Sequence, residues 1–443
     1  MAQVRVSDDD LADLIPLHDP AFYARDIDDV HAALAEVRNA RPVLWHEQGQ
    51  YWVLSRHADQ RAVGSNPEVF SSRFGFQIGD SFPVSQVIGN LPTWAQDQLD
   101  DDSLTRAEQR AIIARSKVSI GDPEIESVIV VDPPRHRALR NVMTNGLTPK
   151  IVNGMEPRIV EIVDDALDSA EQGGALEFID VARRVPLMVI AGLVGVPESD
   201  AEVFVDYANA FMATVMLNER DPEKMARNQR MAGEFSGYIE ELIRQRRAKP
   251  GEDLISRMLA TQLDGEPVAE KVVMMLVRSL ISGGTDTTKH LLSWSVYNLG
   301  TRPEQRRILS EKPELMANAI NEITRWTPIV WSNARTAVQD TVIGDRTIKA
   351  GDFVVLVFPS ANRDEEVWER PFEFDVTRKF RVQPIAFGWG EHLCPGNPLA
   401  RLEGRIMLER LFARCDDFEV VGEPDRLMSS FINGLNSLRI QLH

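Results

Sequence analysis

From Arg135 to Arg325 nearly every segment repeats its apolar residues at the three-and-four spacing of a helix, and strand patterns lie only to either side. Helices are expected over 135–146, 151–171, 178–194, 198–217, 222–248, 253–262, 267–299, 303–310 and 313–326. Ahead of this block, "DDVHAALAEVRNA" (28–40) reads as a helix. "PVLWHE" and "YWVLSR" read as a hairpin, and "RHADQRAVGSN" as a short helix ending at Gly64 and Asn66. From Ser71 to about Val131 the chain is long and irregular; only the later half of "DQLDDDSLTRAEQRAIIARSK" suits a helix. Behind the block, short strands run from Ala334 to Phe358. The tail "SSFINGLNSLRIQL" reads as a hairpin with Asn433-Gly434 at its tip. Strand and helix do not alternate, which excludes a doubly wound sheet. The expected class is mainly α with small β-sheets, an α+β fold.

At 443 residues, 43% hydrophobic and 26% charged, the chain buries a sizeable core. No apolar run approaches the length of a membrane span, and "MAQVRVSDDDLADLIPLHDP" lacks the basic-then-apolar order of a signal peptide. Two cysteines make no disulfide framework. A cytoplasmic protein is expected, and the net charge of −18 argues against nucleic acid as a partner.

The stretch "FGWGEHLCPGNPLAR", Phe387 to Arg401, sets one of those two cysteines between glycine-rich turns and a helix start. A structural zinc site needs about four Cys or His ligands in close pairs. Cys394 and Cys415 lie far apart, and His392 does not complete a set. A thiolate nucleophile needs a base within reach, and His392, two residues away in an extended loop, points elsewhere. Gly388, Gly390 and Gly396 permit positive φ and the close approach of a flat partner. Pro395 opens a helix whose free N–H groups and dipole favour an adjacent thiolate. Two readings stay open on these residues alone: a soft anionic ligand under a metal, or a buried structural cysteine, the commoner fate of a cysteine. Cys415, in "LFARCDDFEV", keeps the second reading.

The pattern Phe-Gly-x-Gly-x-His-x-Cys-x-Gly, then Leu-Ala-Arg, resembles the haem-binding loop of the cytochrome P450 family. Phe387, Gly388, Gly390, His392, Cys394, Gly396, Leu399, Ala400 and Arg401 all match. The resemblance covers nearly the whole chain. It implies one cytochrome P450 domain over 1–443, β-rich at about 28–70, 329–386 and 417–443 and helical and haem-binding at about 71–328 and 387–416. It also implies haem b as cofactor, Cys394 as iron ligand, and Phe387, Gly388, His392 and Gly396 as haem contacts.

Glu322 and Arg325 in "NEITRW" share a helix face. Such pairs alone are mostly solvated surface contacts, but these match the family's Glu-x-x-Arg. Arg378 in "FEFDVTRK" is the implied third member of a buried charge network that fixes the loop. In "SLISGGTDTTKHLLSWSV", two adjacent glycines inside a helix cost about 1 kcal/mol each relative to alanine. Close helix packing accounts for such a pair. The resemblance adds that Gly283 lies against the haem and that Asp286 and Thr287 are the acid–alcohol pair of proton delivery, the hydroxyl bonding back to the Gly283 carbonyl or to dioxygen. His136 and Arg140, at i, i+4 in "DPPRHRALRNVM", match the helix that binds a haem propionate. Arg335 in "NARTAVQD" and His392 are the matching donors for the other side.

The stretch Arg135 to Lys150 carries Arg135, Arg137, Arg140 and Lys150 and no acid, +4 within a protein of −18. Charge patterning by itself allows scattered surface arginines. The resemblance implies a separate 2Fe-2S ferredoxin docking on a basic face made by Arg135, Arg137, Arg401 and Arg405. The implied activity is a haem-thiolate monooxygenase that uses O2 to hydroxylate a mainly apolar small molecule. The rival is a non-catalytic haem-thiolate sensor or ligand-binding protein. It needs no proton relay, so Asp286-Thr287 speaks against it, as it does against a peroxide-driven variant. By resemblance the pocket draws on parts of 71–131 and on Phe211, Met212, Ser279, Ile329, Val330, Ser332, Asn333, Ile432 and Asn433. That lining is mainly apolar with a polar handle, compatible with terpenoid, steroid or alkyl-aromatic compounds. The segment between "PEVFSS" and "DPPRHR" is longer than compact bacterial members need, as a lid or a surface insertion.

Overall fold

The computed structural model describes residues 7–78, 91–101, 103–116, 127–170, 174–216, 221–415 and 417–443. They fall into two units: Met1–Arg135 with Asn321–Cys394 and Arg426–Gly434, and His136–Ile320 with Pro395–Asp425 and Leu435–His443.

The first unit is organised by a five-stranded sheet, in the order Val43–His46, Tyr51–Leu54, Phe353–Val357, Ser332–Ala337, Phe70–Ser71. The first two strands form the expected hairpin, Val43 opposite Leu54 and His46 opposite Tyr51. Phe353–Val357 runs parallel to Tyr51–Leu54, with Val355 opposite Val53, and antiparallel to Ser332–Ala337. Its sequence FVVLV is apolar throughout because both of its faces are buried. Side chains of successive residues point to opposite faces. Val355 and Val357 join Leu44, Val53 and, from the N-terminal helices, Leu11 and Leu34. Val354 and Leu356 join Val43, Leu54, Val63 and Ile385. The helix Asp8–Leu14 starts on a reciprocal cap, Ser7 and Asp10 each bonding the other's backbone N–H. In the irregular stretch, Arg106–Ser116 is the expected helix. Thr93–Leu99 is an additional one, and Phe74, Leu91, Ala95, Ile112 and Ile113 pack together there. Residues 79–90, 102 and 117–126 of the expected lid or insertion lie outside the described residues.

The second unit is helical. Phe178–Val194, Pro222–Ala248 and the 31-residue Glu270–Gly300 fall close to their expected bounds. The helix expected over 151–171 is two helices, Pro149–Gly154 and Glu156–Ala170, because Pro157 has no N–H to continue the ladder and its ring clashes with the carbonyl four residues back. The long helix begins at Glu270 rather than 267, since Pro267 and Gln262 pair in a small hairpin whose tip, Asp264-Gly265, has positive φ at both residues. The tail is not the expected hairpin. Ile432 bridges Val330 in the first unit. Arg439–Leu442, in the second, is the middle strand between Phe418–Val420 and Ala175–Glu177. Non-local partners therefore outcompete the local Asn433-Gly434 turn. No helix among the described residues is long and apolar enough to cross a membrane.

Candidate active site

In the first unit the Cys394 loop is a closed set of backbone bonds. The Cys394 N–H donates to the Phe387 carbonyl at 2.9 Å, that of Gly388 to Ile385 at 2.9 Å, and that of Leu393 to Gly390 at 3.0 Å. Gly390 has φ +73°, and a Cβ there would lie 1.8 Å from the Gly64 carbonyl oxygen. The loop thus rests on the end of the helix His57–Gly64, which only glycine allows. The Arg61 guanidinium stacks over the intervening Trp389, 4.2 Å from its ring centre. Gly390→Ala will therefore displace the loop, at a cost of about 2–4 kcal/mol. Thermal unfolding followed at the haem band checks this; a midpoint equal to wild type removes the close-approach argument.

Behind the loop stand Glu322 and Arg325, both 0% exposed. Arg325 binds Glu322 through two N–H···O bonds of 2.7 and 2.8 Å, and Arg378 Nε adds a third at 2.9 Å. The remaining guanidinium hydrogens go to main-chain carbonyls: Arg325 to Asn362, Pro371 and Glu373, and Arg378 to Glu369, Arg370 and Glu373. Asn362 carries the connection onward, because its side-chain Oδ1 accepts the Ile385 N–H at 2.8 Å, where the loop begins. The sequence pattern contains the triad but not this asparagine.

Arg335 lies in the strand Ser332–Ala337 and is 6% exposed. Among the described residues its guanidinium donates one hydrogen bond, from Nη1 to the Ala334 carbonyl. Burial pulls its pKa down to about 10 against the opposing pull of Asp132. Asp132 in turn accepts the Ser72 N–H at 2.9 Å and the Ser71 hydroxyl at 2.5 Å, and the Ser72 hydroxyl meets His392 Nε2 at 3.1 Å. Ser71, Ser72 and Asp132 link the two expected propionate donors, and no spacing rule points to them. A buried guanidinium with so few acceptors suits a carboxylate partner, so Arg335 fits the haem that the loop implies.

Ile329, Val330, Ser332, Asn333, Ile432 and Asn433 come together in this unit. Ile432 bridges Val330, the Asn433 N–H donates to Ile329 at 2.7 Å, and Ser332 and Asn333 pair with Val357 and Leu356.

In the second unit His136, 1% exposed, and Arg140 lie one turn apart on the helix Arg135–Thr144. The two glycines of the long helix have different surroundings. A Cβ at Gly284 would sit 3.0 Å from Ile190 Cδ1, so this is the packing glycine. A Cβ at Gly283 would meet nothing within 4 Å among the described residues, so packing does not require the glycine there. The Thr287 hydroxyl donates to the Gly283 carbonyl at 2.6 Å. Asp286 is held by Lys289 and, at 3.6 Å, faces His290 Nε2. Burial works to raise its pKa, but His290 and Lys289 outweigh burial and hold the carboxyl well below the usual range. The spacing of "DTTKH" places His290 four residues after Asp286, a signal sequence reading passed over. Of the expected pocket residues here, Phe211 packs on Phe235 with Arg278 5.0 Å over its ring, Met212 is buried, and the Ser279 hydroxyl reaches Met275 Sδ at 3.6 Å.

The Cytochrome P450 family model matches residues 199–432. Linalool 8-monooxygenase of Pseudomonas putida is 31% identical over 96% of this chain and 98% of its own length. Steroid C26-monooxygenase of Rhodococcus jostii is 28% identical over 95% of this chain and 83% of its own. Among solved structures, CYP109E1 from Bacillus megaterium in complex with corticosterone superposes with a TM-score of 0.76, at 27% identity, covering 93% of this chain and 98% of the other. With a cysteine loop, a buried charge triad and an acid–alcohol pair in family order, the chain belongs to the cytochrome P450 family, as a haem b monooxygenase.

Proposed function

We propose that this enzyme hydroxylates a mainly apolar small molecule of the terpenoid, steroid or alkyl-aromatic class. The observation that carries catalytic turnover is the Thr287 hydroxyl, held 2.6 Å from the Gly283 carbonyl beside an ionised Asp286. The named relatives that act on linalool and on steroids support the substrate class. When bound, haem b would supply oxygen activation, which a thiolate ligand would favour. In this reading Cys394 is that thiolate, and Phe387, Gly388 and Gly396 shape the loop against the ring. Arg335 and His392 in the first unit, and His136 and Arg140 in the second, are the donors that would hold its propionates. Thr287 orders the last proton at its hydroxyl oxygen and Asp286 replenishes it. Ile329, Val330 and Ile432 offer apolar surface, while Ser332, Asn333 and Asn433 offer the polar handle. The family resemblance also assigns Phe211, Met212 and Ser279 of the second unit to substrate binding.

Electrons come, in the same reading, from a separate ferredoxin on Arg135, Arg137 and Arg401. Arg405 contributes less than its sequence position promises, because Glu156 and Glu409 each take it at 2.8 Å. In the same reading the enzyme works in the cytoplasm.

A panel of linalool, corticosterone and an alkylbenzene, scanned for a spin-state change of the haem and then for product with a reconstituted ferredoxin chain, tests the class. A compound from one of these groups will shift the spectrum and yield an alcohol; spectral shifts without product under every electron supply would favour the ligand-binding rival. Thr287→Ala will leave haem and ligand binding intact but cut product per NAD(P)H about tenfold or more, the electrons appearing as hydrogen peroxide. Undiminished coupling in that variant would sink the relay.

A further inference from the structure

His290 is 1% exposed on the helix Glu270–Gly300, and its two ring nitrogens meet groups of opposite kind. Nδ1 accepts the backbone N–H of Leu435 at 3.2 Å. Nε2 faces Asp286 Oδ2 at 3.6 Å, just beyond a formed hydrogen bond. A neutral imidazole has one donor and one acceptor. A backbone N–H only donates, so Leu435 claims the acceptor and leaves the ring hydrogen on Nε2, directed at the carboxylate. Of the charges that face the ring, Asp286 favours its protonation and Lys289 and Arg183 oppose it. Burial is the largest influence, also opposes it, and keeps His290 below its ordinary value. The other carboxylate oxygen, Oδ1, takes the Lys289 ammonium.

We propose that His290 is a positioning residue for Asp286: fixed in one tautomer by the Leu435 N–H, it presents a single N–H that, together with Lys289, orients the carboxylate. This rests on the assignment of Asp286 to proton delivery. The same lock keeps His290 from shuttling protons itself. Release from Nε2 requires arrival at Nδ1, and Nδ1 is already taken by a donor. The C-terminal segment thereby acts on Asp286 without touching it.

Ring-15N histidine spectra of the reduced, CO-bound holoenzyme, which is diamagnetic, will show His290 with an unprotonated Nδ1 and a protonated Nε2. The signal is assigned by its loss in His290→Leu, or in His290→Asn where the leucine variant does not fold. An imidazolium, the opposite tautomer or averaging between the two overturns the proposal. Difference infrared spectra against Asp286→Asn read the carboxylate stretch of Asp286 itself. That band will shift in His290→Leu and return to its wild-type position in His290→Gln, whose amide N–H reaches the place of Nε2. It will stay shifted in His290→Asn, which can accept from Leu435 but falls short of Asp286. Recovery in Asn and not in Gln, or an unmoved band throughout, shows that His290 serves only Leu435. Neither measurement needs turnover. Unchanged coupling in Thr287→Ala would remove the relay and leave these signatures standing, whereas failed signatures would remove His290 and leave the relay.

Discussion

Cys394→Ser will abolish the red-shifted band of the reduced, CO-bound protein and reduce monooxygenase activity to background, while Cys415→Ser leaves both as in wild type. The two thiols sit in unlike surroundings. Cys415, half-buried rather than buried as expected, lies just past the helix Asn397–Phe412, and its Sγ donates to the Leu411 carbonyl at 3.5 Å. Cys394 lies in a loop closed on the Phe387 carbonyl, shaped by the positive φ of Gly388 and Gly390, three residues before that helix starts. A serine hydroxyl there is hard and stays protonated, so the electron donation that a soft thiolate would provide disappears even where haem is retained. The spectrum is the decisive measurement: a red-shifted band that survives Cys394→Ser and is lost in Cys415→Ser would reverse the assignment.

Glu322→Ala will cost about 3–5 kcal/mol, because it leaves the Arg325 and Arg378 guanidinium groups buried without their carboxylate. The yield of haem-loaded protein should collapse rather than decline, since Asn362 ties Arg325 to Ile385 at the start of the Cys394 loop. Arg325→Lys will fare little better. An ammonium cannot reproduce the paired bonds to both oxygens of Glu322 or reach the Asn362, Pro371 and Glu373 carbonyls together. Haem content per polypeptide and the thermal midpoint decide the matter. Normal values of both in Glu322→Ala would show that the triad does not support the loop.

Long helices were legible because their apolar spacing is a local property, and Pro222–Ala248 falls on its expected bounds. The pair Glu322–Arg325 was legible for the same reason. Asn362, 37 residues from Arg325, was not, because its role depends on a carbonyl and a carboxamide that only the folded chain brings there. The tail misled by the same logic in reverse. Asn433-Gly434 carries a strong hairpin signal, yet Leu438 is bound by Glu177 Oε1, 261 residues earlier, and the strand that follows pairs beside it. Ser72 and Asp132 lay in a stretch without periodicity, and Lys289 and His290 were visible as neighbours of Asp286 but not as its partners.

The parallel pairing of Tyr51–Leu54 with Phe353–Val357 has a consequence for biosynthesis. The ribosome adds about 5–20 residues per second, so the roughly 300 residues that separate Val53 from Val355 take about 15–60 s to make. Throughout that interval the nascent hairpin shows an unpaired edge, and Leu44, Val53 and Leu54 lack the share of their cover that Val354 to Val357 supply. The central strand of the sheet is therefore laid down only after residue 353 has been made.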